Sequence, residues 1–240
     1  MAETGHAKNV ANFESMISFV VGYGGDYKPG NAAIELVNLQ AALASAQTMI
    51  DGVTTGLIGW KVKVNDRETE YAGIGKFMTR LGASYAASGA PANAIEDMKG
   101  FARKVAGARK GKIEVDDPNT PENEAAHNSV SQRSYTQVVE HFDGAIELCM
   151  NTPEFTPTEA EFQIAAMQAK SAAMKAANTN VVNSVTTLSN NRISRDNVLY
   201  TDDTSVFNLA KLVKLYVKSL YGADSPQFKQ ISGLEFTKPR

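Results

Sequence analysis

Nine apolar positions in one stretch restrict what this chain can fold into. Leu36, Leu39, Leu43, Ala46, Ile50, Val53, Leu57, Trp60 and Val64 follow one another in alternating steps of three and four residues. An average spacing of 3.5 is the period of helices that pack lengthwise against partners. Thr54 and Thr55 would suit a strand locally, but a strand would scatter the seam over both of its faces. Gly52, Gly56 and Gly59 lie inside the stretch, each costing about 1 kcal/mol against alanine in a helix. All three fall off the seam, so the spacing predicts one long helix that tolerates them.

The approach to that helix is echoed later. Residues 27–40 read YKPGNAAIELVNLQ, and residues 155–168, at an offset of 128, read FTPTEAEFQIAAMQ. Both give an aromatic, a spacer, a proline, polar capping residues and an apolar run ending in Gln. The same offset carries the seam to Ile164, Met167, Ser171, Met174, Asn178, Val181, Val185 and Leu188. This second seam is softer, and a polar seam residue such as Asn178 sets register at some cost in stability. No Gly or Pro occurs between Thr158 and Tyr221. A helix from about residue 158 to 199 would run ~60 Å at 1.5 Å per residue. It must be held by packing, because isolated helices are marginal in water. Each seam ends near an arginine beside a carboxylate, Arg67–Glu68 and Arg195–Asp196, expected to pair. KGFARKVAGA (99–108) and KLYVKSLYGA (214–223) then share a helical pattern closed by Gly107 and Gly222, natural C-caps.

The landmarks recur in order, which predicts an internal duplication in an all-α fold of two tandem helical units with ~40-residue antiparallel packed helices. Residues 1–109 form the first unit, 110–129 a polar linker, 130–223 the second unit and 224–240 an extended tail. Lead-in helices are expected at Val10–Val21 and Ser131–Met150. Shorter terminal helices are expected at Ala94–Ala106 and Thr204–Tyr221, the last capped by Asp203. The residues by which the first unit is longer fall in LGASYAASGAPANA (81–94). The runs KIEV (112–115) and QISGLEF (230–236) suit a short two-stranded ribbon.

Composition narrows the function classes. With 43% hydrophobic and 21% charged residues and a net charge of −2, the chain is neither a disordered tail protein nor a globally basic nucleic-acid binder. No nucleic acid is therefore expected as a partner. Cys149 is the single cysteine, expected as a buried structural thiol. The N-terminal residues lack the basic start and apolar core of a signal peptide, and no uncharged apolar run reaches ~18 residues. A cytoplasmic protein is expected, although leaderless export would leave no mark.

The search for chemistry returns little. GYGGD (22–26) lacks the spacing and preceding strand of a phosphate loop. His6, His127 and His141 are scattered without metal-ligand spacing, and His141 beside Glu140 reads as a helix-surface group. No nucleophile elbow occurs, and Asp116 and Asp117 lack the glycine of a calcium loop. No catalytic residue, metal site, cofactor or small-molecule substrate is identified, and no enzyme is expected.

Two features remain. Arg103 and Lys104, with Lys99, Arg109, Lys110 and Lys112 around them, and the one-face series Lys211, Lys214 and Lys218 make a candidate anion or partner face. The plainer reading is a solvated face. Acidic residues elsewhere (Glu140, Asp143, Glu147, Glu154, Glu159 and Glu161) would suit a neighbouring copy of the chain. The tail, SPQFKQISGLEFTKPR, carries Phe228, Ile231, Leu234 and Phe236 at a density that requires packing, on the chain's own bundle or as assembly contacts with another subunit.

With NVLY (197–200), VKLYVKS (213–219) and SPQFKQISGLEF (225–236) in place, the chain resembles a family of bacterial all-helical proteins with a C-terminal SPQ[YF]KQ[IV]SGLxF motif. Leu215 and Phe228 depart modestly from its pattern. The resemblance spans most of the chain and implies a helical fold, but brings no established activity and no catalytic residue. The expectation is a non-enzymatic structural or scaffolding protein that self-assembles as a homo-oligomer or filament through coiled-coil-like seams. The alternatives are a membrane-acting protein, such as a pore-forming toxin component using residues 81–95, or a partner-binding adaptor. The weakly apolar 81–95 segment disfavours a membrane surface.

Overall fold

The computed structural model describes residues 4–107 and 134–238. Among them every regular element is helical and no strand occurs, so the fold is all-α. The helices are α1 (Thr4–Gly22), α2 (Leu36–Tyr71), α3 (Ile74–Ala87), α4 (Ala92–Ala106), α5 (Tyr135–Met150), α6 (Ile164–Asp196), α7 (Val206–Tyr221) and α8 (Pro226–Ser232). The two seams are thus one helix each, of 36 and 33 residues. The linker 110–129, with Arg109, Lys110, Lys112, His127 and the KIEV run, lies outside the described residues.

α2 and α6 run antiparallel. Asn191 Nδ2, late in α6, donates to the Gly52 carbonyl in α2 at 2.8 Å. Asn178 Nδ2, earlier in α6, donates to the Tyr71 hydroxyl at the end of α2 at 2.7 Å. Compactness follows this pairing. Unit 1 comprises Met1–Lys61 with Asn183–Arg240, and unit 2 comprises Val62–Val182. Each takes one end of α2 and the opposite end of α6, a division that differs from the sequential halves 1–109 and 130–223. The physical reason is that an antiparallel pair sets the start of one helix beside the finish of the other.

Unit 2 encloses Met78, Leu81, Tyr85, Met98, Phe142, Met167 and Met174. The segment read as an insert, 81–94, contributes to that core through Leu81, Tyr85 and Ala90: Leu81 and Tyr85 are fully buried on α3, and Tyr85 Oη lies 2.6 Å from Thr152 Oγ1. α4 meets α5 so closely that a Cβ on Gly144 would stand 2.5 Å from the Phe101 ring. Unit 1 packs the stripe Val10, Phe13, Met16, Ile17 and Val20 of α1 against α7, whose Leu209, Val213 and Val217 are buried. Full burial of each such side chain contributes about 1.5–3 kcal/mol.

The lead-ins fold alike at the offset of 128. A 3₁₀ turn at Ala32–Ile34 precedes α2 and another at Ala160–Phe162 precedes α6. Tyr27 and Phe155, Ile34 and Phe162, Leu39 and Met167, and Ala46 and Met174 are all buried. Asn31 caps the first turn by accepting from Ala33 N–H, and Tyr27 Oη donates to the Ile34 carbonyl.

Several local expectations change. Gly52 and Gly56 face α6: a Cβ on Gly56 would lie 3.0 Å from Asn191 Nδ2 and 3.5 Å from Leu188 Cα. Only Gly59 looks into open space. Asp203 does not cap α7; Ser205 occupies the N-cap, and its side chain makes no capping bond. QISGLEF is not a strand. Ser225 accepts from Phe228 N–H and Pro226 takes the first helical position, which starts α8 and carries it through Ser232. Gly107 and Gly222 do close α4 and α7, both at positive φ.

Candidate functional site

The richest polar arrangement lies in unit 1, on the edge of α1 beside its apolar stripe. His6, Asn9 and Asn12 recur every third residue, so they share one side of the helix. His6 and Asn9 are buried. His6 Nδ1 lies 2.9 Å from Tyr200 Oη, and Asn9 Nδ2 donates to the same oxygen at 3.0 Å. Asn9 also grips the tail as a strand would: Nδ2 donates to the Thr237 carbonyl (2.8 Å) and Oδ1 accepts from the Thr237 N–H (3.1 Å). Asn12 Nδ2 donates to the Glu235 carbonyl at 2.7 Å. Every polar group of the Asn9 amide is thereby used.

Tyr200 arrives through a π-turn, Asn197–Thr201, closed by Asp202 N–H donating to the Asn197 carbonyl. Such turns are rare and concentrate at functional sites. Just before it, the buried Arg195 places Nε and Nη2 on Asp196 Oδ1 at 3.0 and 2.9 Å. The expected Arg195–Asp196 pair therefore forms. An open cleft of about 350 Å³ beside the turn is lined by Asp196, Tyr200, Thr201 and Lys238. Its one carboxylate is already engaged by arginine, so the cleft offers polar contacts more readily than a free base.

The counterpart arginine in unit 2 behaves differently. Arg67 stacks its guanidinium 3.9 Å from the centre of the Tyr135 ring instead of pairing with Glu68. Tyr71 Oη donates to the Tyr135 carbonyl, and the two rings meet edge to face. Burial is the main cause of the raised Tyr71 pKa. Arg67 Nε and Asn178 Oδ1 are buried without a hydrogen-bond partner among the described residues.

The tail residues read as assembly contacts pack on the chain's own unit 1. Ile231 is fully buried, and Phe228, Leu234 and Phe236 lie half-buried against the same core. The lysines read as an anion face turn to aromatic rings. Lys211 stands 4.7 Å from the Phe207 ring centre, Lys214 5.5 Å from Phe236 and Lys218 5.9 Å from Phe228. Lys214 Nζ also donates to the Ser232 and Leu234 carbonyls. Burial lowers the Lys214 pKa, and Glu235 opposes that shift. Lys214 and Lys218 thus clamp the tail, while Lys211 stays on a ring of its own helix.

In unit 2, Lys99 pairs with Glu96 and Lys104 lies over Phe101, while Arg103 and Lys104 occupy the last turn of α4, where positive charge suits the helix dipole. The acidic residues Asp143 and Glu161 are engaged within unit 2, by Lys175 and Arg80. His141 is half-buried, its Nε2 has no partner among the described residues, and burial, then Lys104, lowers its pKa. Cys149 is buried, and burial pushes its thiol up to about 12.

Asn9 and Asn12 escaped sequence reasoning, and His6 and Tyr200 entered it only as a scattered histidine and the end of the NVLY run, because neither metal spacing nor a catalytic motif marks them. The available signal was the three-residue polar period beside an apolar stripe. Among the described residues no group of His, Cys, Asp and Glu could hold a metal ion, and no helix is long and apolar enough to cross a membrane. No protein-family model, curated protein or solved structure matches the chain.

Proposed function

We propose that this chain is a non-enzymatic helical protein that works by assembling with copies of itself as a structural or scaffolding element. The observation that carries the reading is apolar surface left uncovered along the long helices. In unit 1, Ile58 is 58% exposed and Val185 45%, and the seam residues Leu57 and Trp60 are half-buried. In unit 2, Val62 is 47% and Val182 60% exposed. Of these exposed residues only Val185 lies on a seam; the seams are otherwise closed at Leu39, Ala46, Val53, Met167, Met174, Val181 and Leu188. Large apolar side chains concentrated on an exposed helix stretch are a common mark of interaction surfaces.

The membrane-acting alternative needs residues 81–95 as an inserting segment, and Leu81 and Tyr85 are committed to the core of unit 2. An adaptor would use the same exposed residues for a different protein and remain a monomer alone. Light scattering across dilution decides between them: the assembly reading expects a mass above one chain that falls when Ile58 and Val185 become lysine, with helical content unchanged. A single-chain mass at every concentration would overturn it.

A further inference from the structure

We propose that a cleft at the starts of α2 and α7, within unit 1, binds a primary alkylammonium group, either of a free amine or of a lysine side chain. The site is independent of the self-assembly reading and uses none of the exposed residues that carry it.

The cleft measures about 490 Å³, a volume usual for small-ligand sites. Half-buried Ala33 and Ala42 and the buried Leu209 give it an apolar wall, and the exposed Ser45, Asp202 and Thr204 give it polar groups. Among the described residues Asp202 is the single charged one that lines it. The Asp202 main-chain carbonyl accepts from Ser205 N–H and from Asn208 Nδ2, whereas no described residue bonds to its carboxylate. A negative charge without a partner therefore stands beside apolar surface.

Unit 2 shows what the same place holds when the chain fills it. Tyr27 meets Tyr216 of α7, and Phe155, at the offset of 128, meets Tyr85 of α3, so α3 is the counterpart of α7. At that offset Ala33 and Ala42 correspond to Glu161 and Lys170. The Lys170 ammonium lies 5.9 Å from the centre of the Phe77 ring on α3, and Glu161 pairs with Arg80 one turn further on. Unit 2 thus spans the gap with its own lysine and carboxylate. Unit 1 has alanine at both positions, and the gap is an open cleft. An aliphatic stem laid on Ala42 and Leu209 would cover the apolar wall while its ammonium reached Asp202. Three N–H donors then match a carboxylate and two hydroxyls, those of Ser45 and Thr204. An anion would be repelled by Asp202, and a wholly apolar ligand would take water from that carboxylate without replacing it.

The test titrates n-butylammonium into the full-length protein and follows the backbone amides of Ala33, Ala42, Asp202 and Leu209 by NMR. Saturable shifts at these amides are expected, with a dissociation constant on the order of millimolar for so small a ligand. Asp202→Asn removes the charge from an exposed side chain with no bond to lose, and should weaken binding about tenfold. n-Butanol, of the same size without the charge, should bind the unmodified protein no better than n-butylammonium binds that variant. Ala42→Lys gives unit 1 the residue unit 2 already has, and should abolish the shifts by filling the cleft from within; circular dichroism checks that helical content is kept. Absence of saturable shifts, binding unchanged in Asp202→Asn, or equal binding of n-butanol overturns the site. Lysine blocked at both its amino and carboxyl ends separates the two sources. Tighter binding than n-butylammonium assigns the site to a lysine of a protein partner, and equal or weaker binding assigns it to a free amine.

Discussion

Alanine at Gly52, Gly56 and Gly59 probes how closely α6 approaches α2 within unit 1. At Gly59 a Cβ meets nothing within 4 Å, so Gly59→Ala should realise the full helix-propensity gain of about 1 kcal/mol. At Gly52 the nearest atom, Asn191 Nδ2, is 4.0 Å away, an ordinary contact, and a similar gain is expected. At Gly56 the Cβ would lie 3.0 Å from Asn191 Nδ2, with Leu188 Cα at 3.5 Å behind it. Asn191 must give way, yet it is tied to the Gly52 carbonyl at 2.8 Å. Losing that bond costs about 1 kcal/mol, which cancels the propensity gain and leaves Gly56→Ala near neutral. Urea denaturation followed by fluorescence of Trp60, the chain's single tryptophan, reads unit 1 directly. In the Asn191→Ala background, Gly56→Ala should recover its gain, a coupling that a double-mutant cycle measures. Equal stabilisation by all three alanines in the unmodified background would refute the close approach.

Gly144→Ala should destabilise unit 2 by about 1–2 kcal/mol, because a Cβ 2.5 Å from the Phe101 ring outweighs the propensity gain; calorimetry should show part of the loss recovered with Phe101→Leu. Stability should fall in alkali. The folded Cys149 pKa lies above its ordinary value of 9.0, at about 12, so the thiol's contribution is intact below pH 9 and is lost as pH rises toward 12. The slope reaches at most about 1.4 kcal/mol per pH unit and should flatten in Cys149→Ala, measured by denaturation at a series of pH values. Tyr27, raised by burial and then by Tyr216, adds a loss of the same sign above its usual 10.0. Lys214→Met keeps the apolar stem but removes the bonds to Ser232 and Leu234 and the charge over Phe236, so amide exchange of residues 226–238 should quicken roughly tenfold; unchanged exchange would contradict the clamp.

The seams were legible because the 3.5-residue period is local and uninterrupted, and because the second copy of the pattern repeats its cues. What the glycines face was not, since Gly52 and Gly56 acquire meaning only from Asn191 and Leu188 on a helix more than a hundred residues away. The unit boundaries were hidden for the same reason: antiparallel pairing is a tertiary choice. The tail reading shows the opposite case. Ser225 and Pro226 are a helix start written in adjacent residues, and the β-type residues Ile231 and Phe236 outweighed them. The spacing of Lys211, Lys214 and Lys218 gave their shared face, but the rings of Phe228 and Phe236 that receive two of them come from a later segment.

The π-turn ties these strands together. Arg67 and Arg195 stand 128 residues apart, while Tyr71 and Tyr200 stand 129 apart, as do His6 and Tyr135. The lead-in helices share the larger offset: Val10 and Val139, Phe13 and Phe142, and Ile17 and Ile146 are buried pairs 129 apart. One extra residue therefore enters between Arg195 and Tyr200, and a regular helix would rotate the tyrosine by ~100° away from α1. Widening one turn to the π form absorbs that residue and lets Tyr200 meet His6 much as Tyr71 meets Tyr135. In unit 1 the arrangement continues outward, from Tyr200 to Asn9 and from Asn9 to the backbone of Thr237. An irregularity in the long helix thus sets the seat of the C-terminal segment, which is why the tail and the π-turn are best understood as one device.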